Sequence, residues 1–227
     1  MNEGQLALAL PHRPGLDAAD LLPHDGVRLA LEMLARGRVW PQDRLGLWGG
    51  PGTGKTHLLH VWAREHGATI VAGPLLNEPF WPEGAVAIDD ADLAPSEEAL
   101  LHVLNAAAET GHRLLVTSRL PPARSRIGLP DLASRLRATV AIELGAPDDA
   151  MLGALLAKLL SKRQLIVSAA VQRYVLTRLP RTAGAVREAV GRLDAAALAA
   201  QSSISRPLAA GCLADLFVAD PLEETPS

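Results

Sequence analysis

The chain has 227 residues, a formal net charge of −3 and 48% hydrophobic residues, enough apolar material for one large domain or two small ones. This composition excludes a disordered chain, and the charge gives no general argument for binding nucleic acid through bulk electrostatics. Cys212 is the only cysteine, so no internal disulfide can form. We expect a cytoplasmic protein without membrane contact, because the sequence has no signal-peptide pattern and no apolar run near the ~20 residues of a membrane span.

The first fifteen residues differ from the rest of the chain. A short apolar stretch, residues 5–10, is followed by Pro11 and Pro14, which prevent a helix from continuing. On these residues alone the simpler interpretation is an edge strand or a terminus with some apolar packing. The alternative is an extended peptide that docks in an apolar groove of a partner.

An amphipathic helix is predicted over residues 27–36 and a buried strand over residues 44–48. The strand leads into a match to the phosphate-binding P-loop pattern G-x-x-x-x-G-K-[ST], and a helix is predicted to follow. Glycines let backbone N–H groups approach phosphate oxygens, and the helix start adds unpaired N–H groups. Lys55 is expected to bridge the β- and γ-phosphates, and the Thr56 hydroxyl to ligate Mg²⁺. The predicted nucleotide-binding residues of this loop are Gly49, Gly50, Pro51, Gly52, Thr53, Gly54, Lys55 and Thr56.

Two further strands, residues 69–72 and 85–88, are predicted next, and the second ends in Asp89 and Asp90. A buried parallel strand that carries acids at its carboxyl end, beside a P-loop, is typical of a Walker B strand. Asp89 would then hold Mg²⁺ through water, and Asp90 would be the catalytic residue that orients or polarises the attacking water. The alternative is a strand that ends in an ordinary Asp-Asp turn.

The remaining half of the α/β pattern contains two strands and two helices. A capped helix is predicted over residues 96–111, a buried strand over residues 113–116, one to two turns of helix over residues 131–137, and a fifth strand over residues 139–144. Ser118, just beyond the fourth strand, is a candidate hydrogen-bond donor to the nucleotide, although a plain strand-end turn fits the same residues.

A domain boundary is predicted at residues 145–147, because everything beyond them is helical: residues 148–163, 168–179, 182–200 and 207–217. Asp148 with Asp149, and Ser168, are predicted N-terminal caps of the first two of these helices. We therefore predict an α/β domain over residues 16–146, with a five-stranded parallel sheet flanked by helices, and a small helical domain over residues 147–227. His57 and His60 are interpreted as packing or solvated residues, since no third metal ligand is in view.

The order of these motifs resembles an AAA+ ATPase over about residues 20–218. Within that class, residues 117–122 are similar to the sensor-1 segment of the DnaA replication-initiator branch, although Arg119 stands where an aspartate is usual. Residues 128–136, Gly-Leu-Pro-Asp-Leu-Ala-Ser-Arg-Leu, match the arginine-finger box, particularly that of the Hda family of DnaA-related regulators. Residues 185–188 resemble the sensor-2 segment, which implies that Arg187 reaches the nucleotide phosphates.

The same resemblance extends to the amino terminus. Residues 5–10 are similar to the hexapeptide by which the Hda family binds the replicative sliding clamp, and this implies an N-terminal peptide over residues 1–15 with contacts from Gln5, Leu6, Leu8 and Leu10. Leu22 falls in a segment that loosely follows the adenine-contacting box, so it is a further nucleotide contact. Asp90 replaces the glutamate of most AAA+ ATPases, and its shorter reach implies a weak ATPase at most.

The resemblance implies a regulator of chromosomal replication initiation. Such a protein would bind ADP or ATP with Mg²⁺, hold the β subunit of the DNA polymerase III sliding clamp, and present Arg135 in trans to ATP bound by DnaA. DNA contact would be indirect, through the clamp, and a homodimer is an open arrangement. Two alternatives remain: a DnaC-like helicase loader that self-assembles on single-stranded DNA, and a binding module in which nucleotide is structural.

Overall fold

The structure, a computed structural model, describes residues 25–36 and 40–218. Within them five parallel strands form one sheet in the order β2-β3-β4-β1-β5. Parallel strands need crossover connections, and helices supply most of them. The strands are β1 Arg44–Trp48, β2 Thr69–Ala72, β3 Val86–Asp89, β4 Leu114–Ser118 and β5 Val140–Glu143. The helices of this part are α1 Asp25–Arg36, α2 Lys55–His66, α3 Glu97–Thr110 and α4 Pro130–Ala138.

The sheet is covered on both faces, as its nearly continuous apolar strands predict. Leu45 and Leu47 of β1 pack with α1, α2 and the ring of Trp62 in one buried cluster. Val86 and Ile88 of β3 pack with α3 in a second cluster on the other face. Because Trp48 lies opposite Ser118 in the register, the carboxyl ends of β1 and β4 lie side by side, next to that of β3. This edge receives the loop that follows β1.

The carboxyl-terminal helices are α5 Asp149–Lys162, α6 Ala169–Arg178, α7 Ala183–Ala200 and α8 Arg206–Cys212. They share a buried cluster of their own, with α5 and α7 at its centre. The predicted caps form: the Asp148 carboxylate accepts from Met151 N at 2.7 Å, and the Ser168 hydroxyl accepts from Val171 N at 3.3 Å. The exact domain boundaries stay a prediction. No helix among the described residues is long and apolar enough to cross a membrane.

One predicted boundary is wrong. The last helix ends at Cys212, not at residue 217. Beyond it the chain turns so that the Phe217 ring packs edge-on against Tyr174, with 5.7 Å between ring centroids, and Val218 N donates to Arg178 O at 2.8 Å. Within this turn Leu216 N and Phe217 N both donate to Leu213 O, at 2.9 and 3.1 Å, and Val218 N is the donor that is directed to α6. β1 and β2 have the predicted bounds, and the ends of the other three strands differ from the predicted ones by one or two residues. Asp89 is the last residue of β3.

Candidate functional site

The loop between β1 and α2 has the shape of a phosphate cradle. A Cβ added at Gly49 would lie 2.5 Å from Leu144 O, and one added at Gly52 would lie 2.5 Å from the Thr182 Cβ. Gly52 also has φ +76°, in the left-handed region. Only glycine fits at these two positions. A side chain would collide with the backbone of Leu144, just after β5, or with Thr182 at the start of α7.

The start of α2 leaves N–H groups available to an anion. Gly54 precedes the helix with φ 96° and provides no side-chain cap, so the first-turn amides have no side-chain acceptor from their N-cap. Thr53 is buried and its hydroxyl donates to Gly50 O at 3.0 Å, which ties the loop together. The Thr56 side chain, one residue into the helix from Lys55, is exposed. A helix start of this kind favours phosphate groups through its amides and its dipole.

Lys55 lies across the loop. Its side chain is buried, and its Nζ donates to Gly49 O at 2.7 Å and to Gly50 O at 3.0 Å. Burial lowers the pKa of Lys55, while the carboxylates of Asp90 and Asp89 act in the opposite direction. The loop glycines and a buried ammonium whose hydrogen bonds, among the described residues, go to two carbonyls fit a phosphate group, whose oxygens would be stronger acceptors.

The acids predicted for Mg²⁺ and water stand at the end of β3. Thr117, fully buried on β4, donates to Asp89 Oδ1 at 2.6 Å and accepts from Asp90 N at 2.8 Å. Asp90 itself has φ 50°, a left-handed conformation that aspartate tolerates better than most residues. Burial, then the Asp89 charge, raise the pKa of Asp90, and Lys55 and Arg119 oppose this rise. The carboxylates and the P-loop lysine therefore lie within electrostatic reach of one another.

Thr117 is a site residue that the sequence interpretation missed. It was only part of the sensor-1 segment, and the nucleotide contact was assigned to its neighbour Ser118. The Ser118 hydroxyl donates to Leu120 O at 2.8 Å, and its carbonyl accepts from Gly49 N at 3.3 Å. Ser118 thus anchors the start of the P-loop through its backbone, and a contact of its hydroxyl with nucleotide stays a prediction. The sequence feature that points to Thr117 is a hydroxyl residue next to a strand predicted to be buried.

The carboxyl-terminal helices reach the P-loop. Thr182, which caps α7, packs against Gly52, and Arg187 Nη2 lies 3.4 Å from His57 Nδ1. His57 is buried on α2, so it is a packing residue as predicted, and it also contacts the predicted sensor-2 arginine. No cluster of three metal-ligating side chains occurs among the described residues. A nucleotide in the cradle would lie between the sheet edge and α7.

Arg135, the predicted arginine finger, does not lie at the phosphate cradle. Its carbonyl accepts from the Thr139 hydroxyl at 2.9 Å, and β5 begins beside Leu45, so the end of α4 lies near the amino end of β1. The Arg135 charge also lowers the pKa of Arg44, after burial, which has the largest effect. The P-loop begins at the other end of β1, one five-residue strand away, or roughly 16 Å. Arg135 is therefore not brought together with the phosphate cradle of its own chain.

The surroundings of Arg135 leave it partly accessible. Its side chain is 36% exposed, and its Nε lies 3.3 Å from the Asp131 carboxylate one turn earlier. An exposed pair of this kind contributes little stability. The start of α4 is fixed more firmly, because the Glu97 carboxylate accepts from Gly128 N at 2.9 Å and from Leu129 N at 2.7 Å. Gln5, Leu6, Leu8, Leu10 and Leu22 lie outside the described residues.

Comparison with protein families matches residues 148–213 to the lid domain of Hda. Among solved structures, domain III of the Thermotoga maritima replication initiation protein DnaA has a TM-score of 0.76 at 18% identity, over 92% of this chain and 99% of that one.

Two longer proteins are also similar. A DnaA bound to AMPPCP and single-stranded DNA has a TM-score of 0.62 at 16% identity, over 78% of this chain and 64% of that one. The Thermotoga maritima RuvB Holliday junction branch migration motor has a TM-score of 0.63 at 21% identity, over 83% of this chain and 66% of that one. These likenesses show an AAA+ P-loop fold, and this chain spans about two thirds of the length of those two relatives.

Proposed function

We propose that this chain, an Hda- and DnaA-related AAA+ protein, is a nucleotide-binding negative regulator of chromosomal replication initiation that stimulates ATP hydrolysis by DnaA. The observation that carries the proposal is the match of residues 148–213 to the Hda lid, combined with a DnaA-like core. In this proposal the chain acts chiefly as an activator of a partner's hydrolysis and is at most a weak ATPase itself.

The phosphate cradle supports binding of ADP or ATP. The P-loop glycines, the buried Lys55 and the start of α2 would hold the phosphates, and Arg187 would approach them from α7. Thr56 would ligate Mg²⁺ directly and Asp89 through water. A bound Mg²⁺ neutralises charge on the β- and γ-phosphates. Because α7 meets the P-loop at Gly52, nucleotide would fix the angle between the α/β core and the lid.

The position of Arg135 supports a role in trans. It lies about one strand length from the cradle of its own chain and is partly exposed. A guanidinium inserted into the site of a second protein neutralises charge on the phosphoryl group that is being transferred. For arginine fingers in general this accelerates hydrolysis by ~10³–10⁵-fold. The second protein in this proposal is ATP-bound DnaA, and hydrolysis inactivates it.

The amino-terminal peptide completes the proposal. Residues 5–10 would hold the protein on the sliding clamp, through Gln5, Leu6, Leu8 and Leu10, so that contact with DNA is indirect. An extended peptide gains affinity from main-chain hydrogen bonds and from pockets for its alternate side chains. A clamp loaded on DNA would thereby raise the local concentration of this chain near DnaA.

Clamp binding tests this partner. The purified chain, a Gln5→Ala, Leu8→Ala double variant and an Asn2→Ala control are each measured against the immobilised sliding clamp. We expect the wild type and the control to bind alike and the double variant to lose binding. Absence of binding by the wild type would remove the clamp from the proposal, and equal binding by all three would remove residues 5–10.

A further inference from the structure

A cavity of about 350 Å³ lies between the sheet and the helices α3 and α4. Its floor is a single row across three strands, in which Gly46 of β1 is paired with Val116 of β4 and with Ala141 of β5. Paired residues of neighbouring strands point to the same face of a sheet, so this row faces the helices. The helices contribute three leucines to the lining: Leu100, Leu132 and Leu136.

The cavity is separate from the phosphate cradle. None of the P-loop residues 49–56 lines it, and neither Asp89 nor Asp90 does. The P-loop helix α2 packs on the opposite face of the sheet, in the cluster that contains Leu45 and Trp62. A nucleotide in the cradle would therefore not fill this space.

Small residues in the floor keep the space open. Gly46 has no side chain, and a Cβ added there would lie 3.2 Å from the Ala141 Cβ, so these two strands present almost no side-chain volume to the helices. Protein interiors are otherwise close-packed, with few voids larger than a water molecule. A cavity lined mainly by apolar groups accepts apolar molecules, and the volume of this one lies in the ~300–1,000 Å³ range of small-molecule sites. The lining therefore predicts a ligand with an apolar body.

The cavity is elongated along the strands. It extends from Thr139, just before β5, to Trp48, which pairs with Glu143 near the carboxyl end of the same strand. Thr139 and Glu143 are four residues apart, which corresponds to roughly 13 Å along a strand. An unbranched chain fits such a shape better than a compact ring system does.

The loop after β4 places positive charge beside the cavity. Arg124 and Arg126 line it, and both are exposed. Neither makes an ion pair within 4 Å with another of the residues that the structure describes. The loop that carries them is held in place, since Arg124 N donates to Pro121 O at 2.8 Å and the Ser125 hydroxyl donates to the same oxygen at 3.3 Å. Two guanidinium groups are thus available to one ligand.

The two carboxylates that line the cavity are already hydrogen-bonded. The Glu97 carboxylate accepts from Gly128 N and Leu129 N, which fixes the start of α4. Asp92 Oδ2 accepts from Arg119 N at 3.2 Å. Because these acids are engaged by backbone amides and form no ion pair with the two arginines, the charge at the cavity is complementary to an anion.

We propose that this cavity binds a small amphipathic carboxylate, an unbranched fatty acid of medium length, with its chain on the sheet floor and its carboxylate on Arg124 and Arg126. The chain fits the apolar lining, and a guanidinium can hold a carboxylate through two parallel hydrogen bonds. This site goes beyond the function proposed above and does not depend on it. Because Leu132 and Leu136 belong to α4, the ligand would contact the helix that carries Arg135.

Calorimetric titrations of the full chain with octanoate and with 1-octanol test the site. Ala141→Phe fills the cavity from its floor, and Ala108→Phe is the matched control, because Ala108 is exposed on α3 and does not line the cavity. We expect the wild type to bind one octanoate per chain. Ala141→Phe should weaken this binding by at least about 10-fold, and the control should match the wild type.

An Arg124→Ala, Arg126→Ala double variant tests the charge at the cavity. Its control, Arg137→Ala with Arg173→Ala, removes the same charge from exposed positions that do not line the cavity. Loss of charge-assisted hydrogen bonds predicts that the double variant binds octanoate about 10- to 100-fold more weakly. Binding of 1-octanol, which carries no charge, should change by less than about threefold. The control should bind both ligands as the wild type does.

Four results would overturn the inference: no saturable binding of octanoate by the wild type, unchanged binding by Ala141→Phe, an equal loss in a variant and its control, or an equal effect of the arginine double variant on octanoate and 1-octanol. The last would mean a site for neutral apolar molecules. Far-ultraviolet circular dichroism shows whether each variant folds. If Ala141→Phe does not fold, the arginine double variant decides, since both of its positions are exposed.

Discussion

One hydroxyl group joins Thr117 to Asp89: Thr117 Oγ1 donates to the carboxylate Oδ1 at 2.6 Å, and the same oxygen accepts from the Asp90 amide at 2.8 Å. The hydroxyl has both its donor and its acceptor role satisfied in a position with no solvent exposure. It therefore fixes the two acids of the site relative to β4, and through β4 to the P-loop.

Replacing Thr117 by valine keeps the side chain's shape but removes both hydrogen bonds. The Asp90 amide and the Asp89 carboxylate each lose a partner, and a buried polar group left without one costs roughly 1–3 kcal/mol. We expect Thr117→Val to lower the free energy of unfolding by about that amount in urea titrations. Thr110→Val is the control, since its hydroxyl lies on the exposed end of α3. A Thr117→Val protein as stable as this control would contradict the bridging role.

Asp90→Asn should stabilise the protein while removing its candidate water-orienting carboxylate. Burial and the neighbouring Asp89 raise the pKa of Asp90, so the folded state binds this proton more tightly than the unfolded state. Stability is therefore lost as pH rises from the ordinary aspartate pKa, about 3.9, through the raised value of the folded state. Asparagine removes this cost and also tolerates the left-handed conformation at φ 50°.

We expect Asp90→Asn to raise the melting temperature by about 2–4 °C at neutral pH, corresponding to about 1 kcal/mol. The gain should shrink as the pH is lowered toward 4. Asp92→Asn is the matched control, because an amide oxygen can still accept from the Arg119 amide. A lower melting temperature in Asp90→Asn at neutral pH would mean that the folded state prefers the charged carboxylate.

Gly52→Ala should loosen the contact between the P-loop and α7. The added Cβ would lie 2.5 Å from the Thr182 Cβ, and the backbone φ of +76° is unfavourable for alanine. We expect a loss of roughly 1–3 kcal/mol in unfolding free energy, measured without nucleotide. Gly50→Ala is the control in the same loop, since its added Cβ would have no atom within 4 Å. Equal stability of the two variants would show that α7 does not press on the loop.

The chain alone should hydrolyse ATP slowly, and the rate per molecule should not rise with protein concentration or single-stranded DNA. Arg135 lies far from the phosphate cradle of its own chain. The Asp90 side chain is one methylene shorter than that of glutamate, so its carboxylate reaches less far toward the attacking water. Turnover by Arg135→Ala, measured by phosphate release without partners, should equal that of the wild type. Turnover that rises with concentration and falls in Arg135→Ala would instead favour the self-assembling loader.

The sequence predicts well those features that local patterns encode. The P-loop, the caps at Asp148 and Ser168, and the five strands follow from glycine spacing, helix-start chemistry and apolar runs, and the structure has each of them. Parallel pairing follows from the alternation of strands with helices.

Contacts between distant segments were not predictable in the same way. The bond between Thr117 and Asp89 depends on the pairing of β3 with β4, and that between Arg187 and His57 joins residues 130 positions apart. Beyond the end of the last helix Phe217 packs on Tyr174, and no pattern within residues 207–217 contains that contact. Such features depend on the register and packing of the whole chain.

Stimulation of DnaA is tested by following hydrolysis of ATP bound to DnaA after addition of this chain with the sliding clamp loaded on DNA. Wild type, Arg135→Ala and Arg137→Ala are compared, because Arg137 is an exposed arginine on the same helix whose Nε donates to Ala133 O at 3.0 Å. We expect wild type and Arg137→Ala to stimulate hydrolysis alike, and Arg135→Ala to lose the stimulation while it still binds the clamp. Stimulation by Arg135→Ala equal to that of the wild type would mean that Arg135 is not the arginine finger.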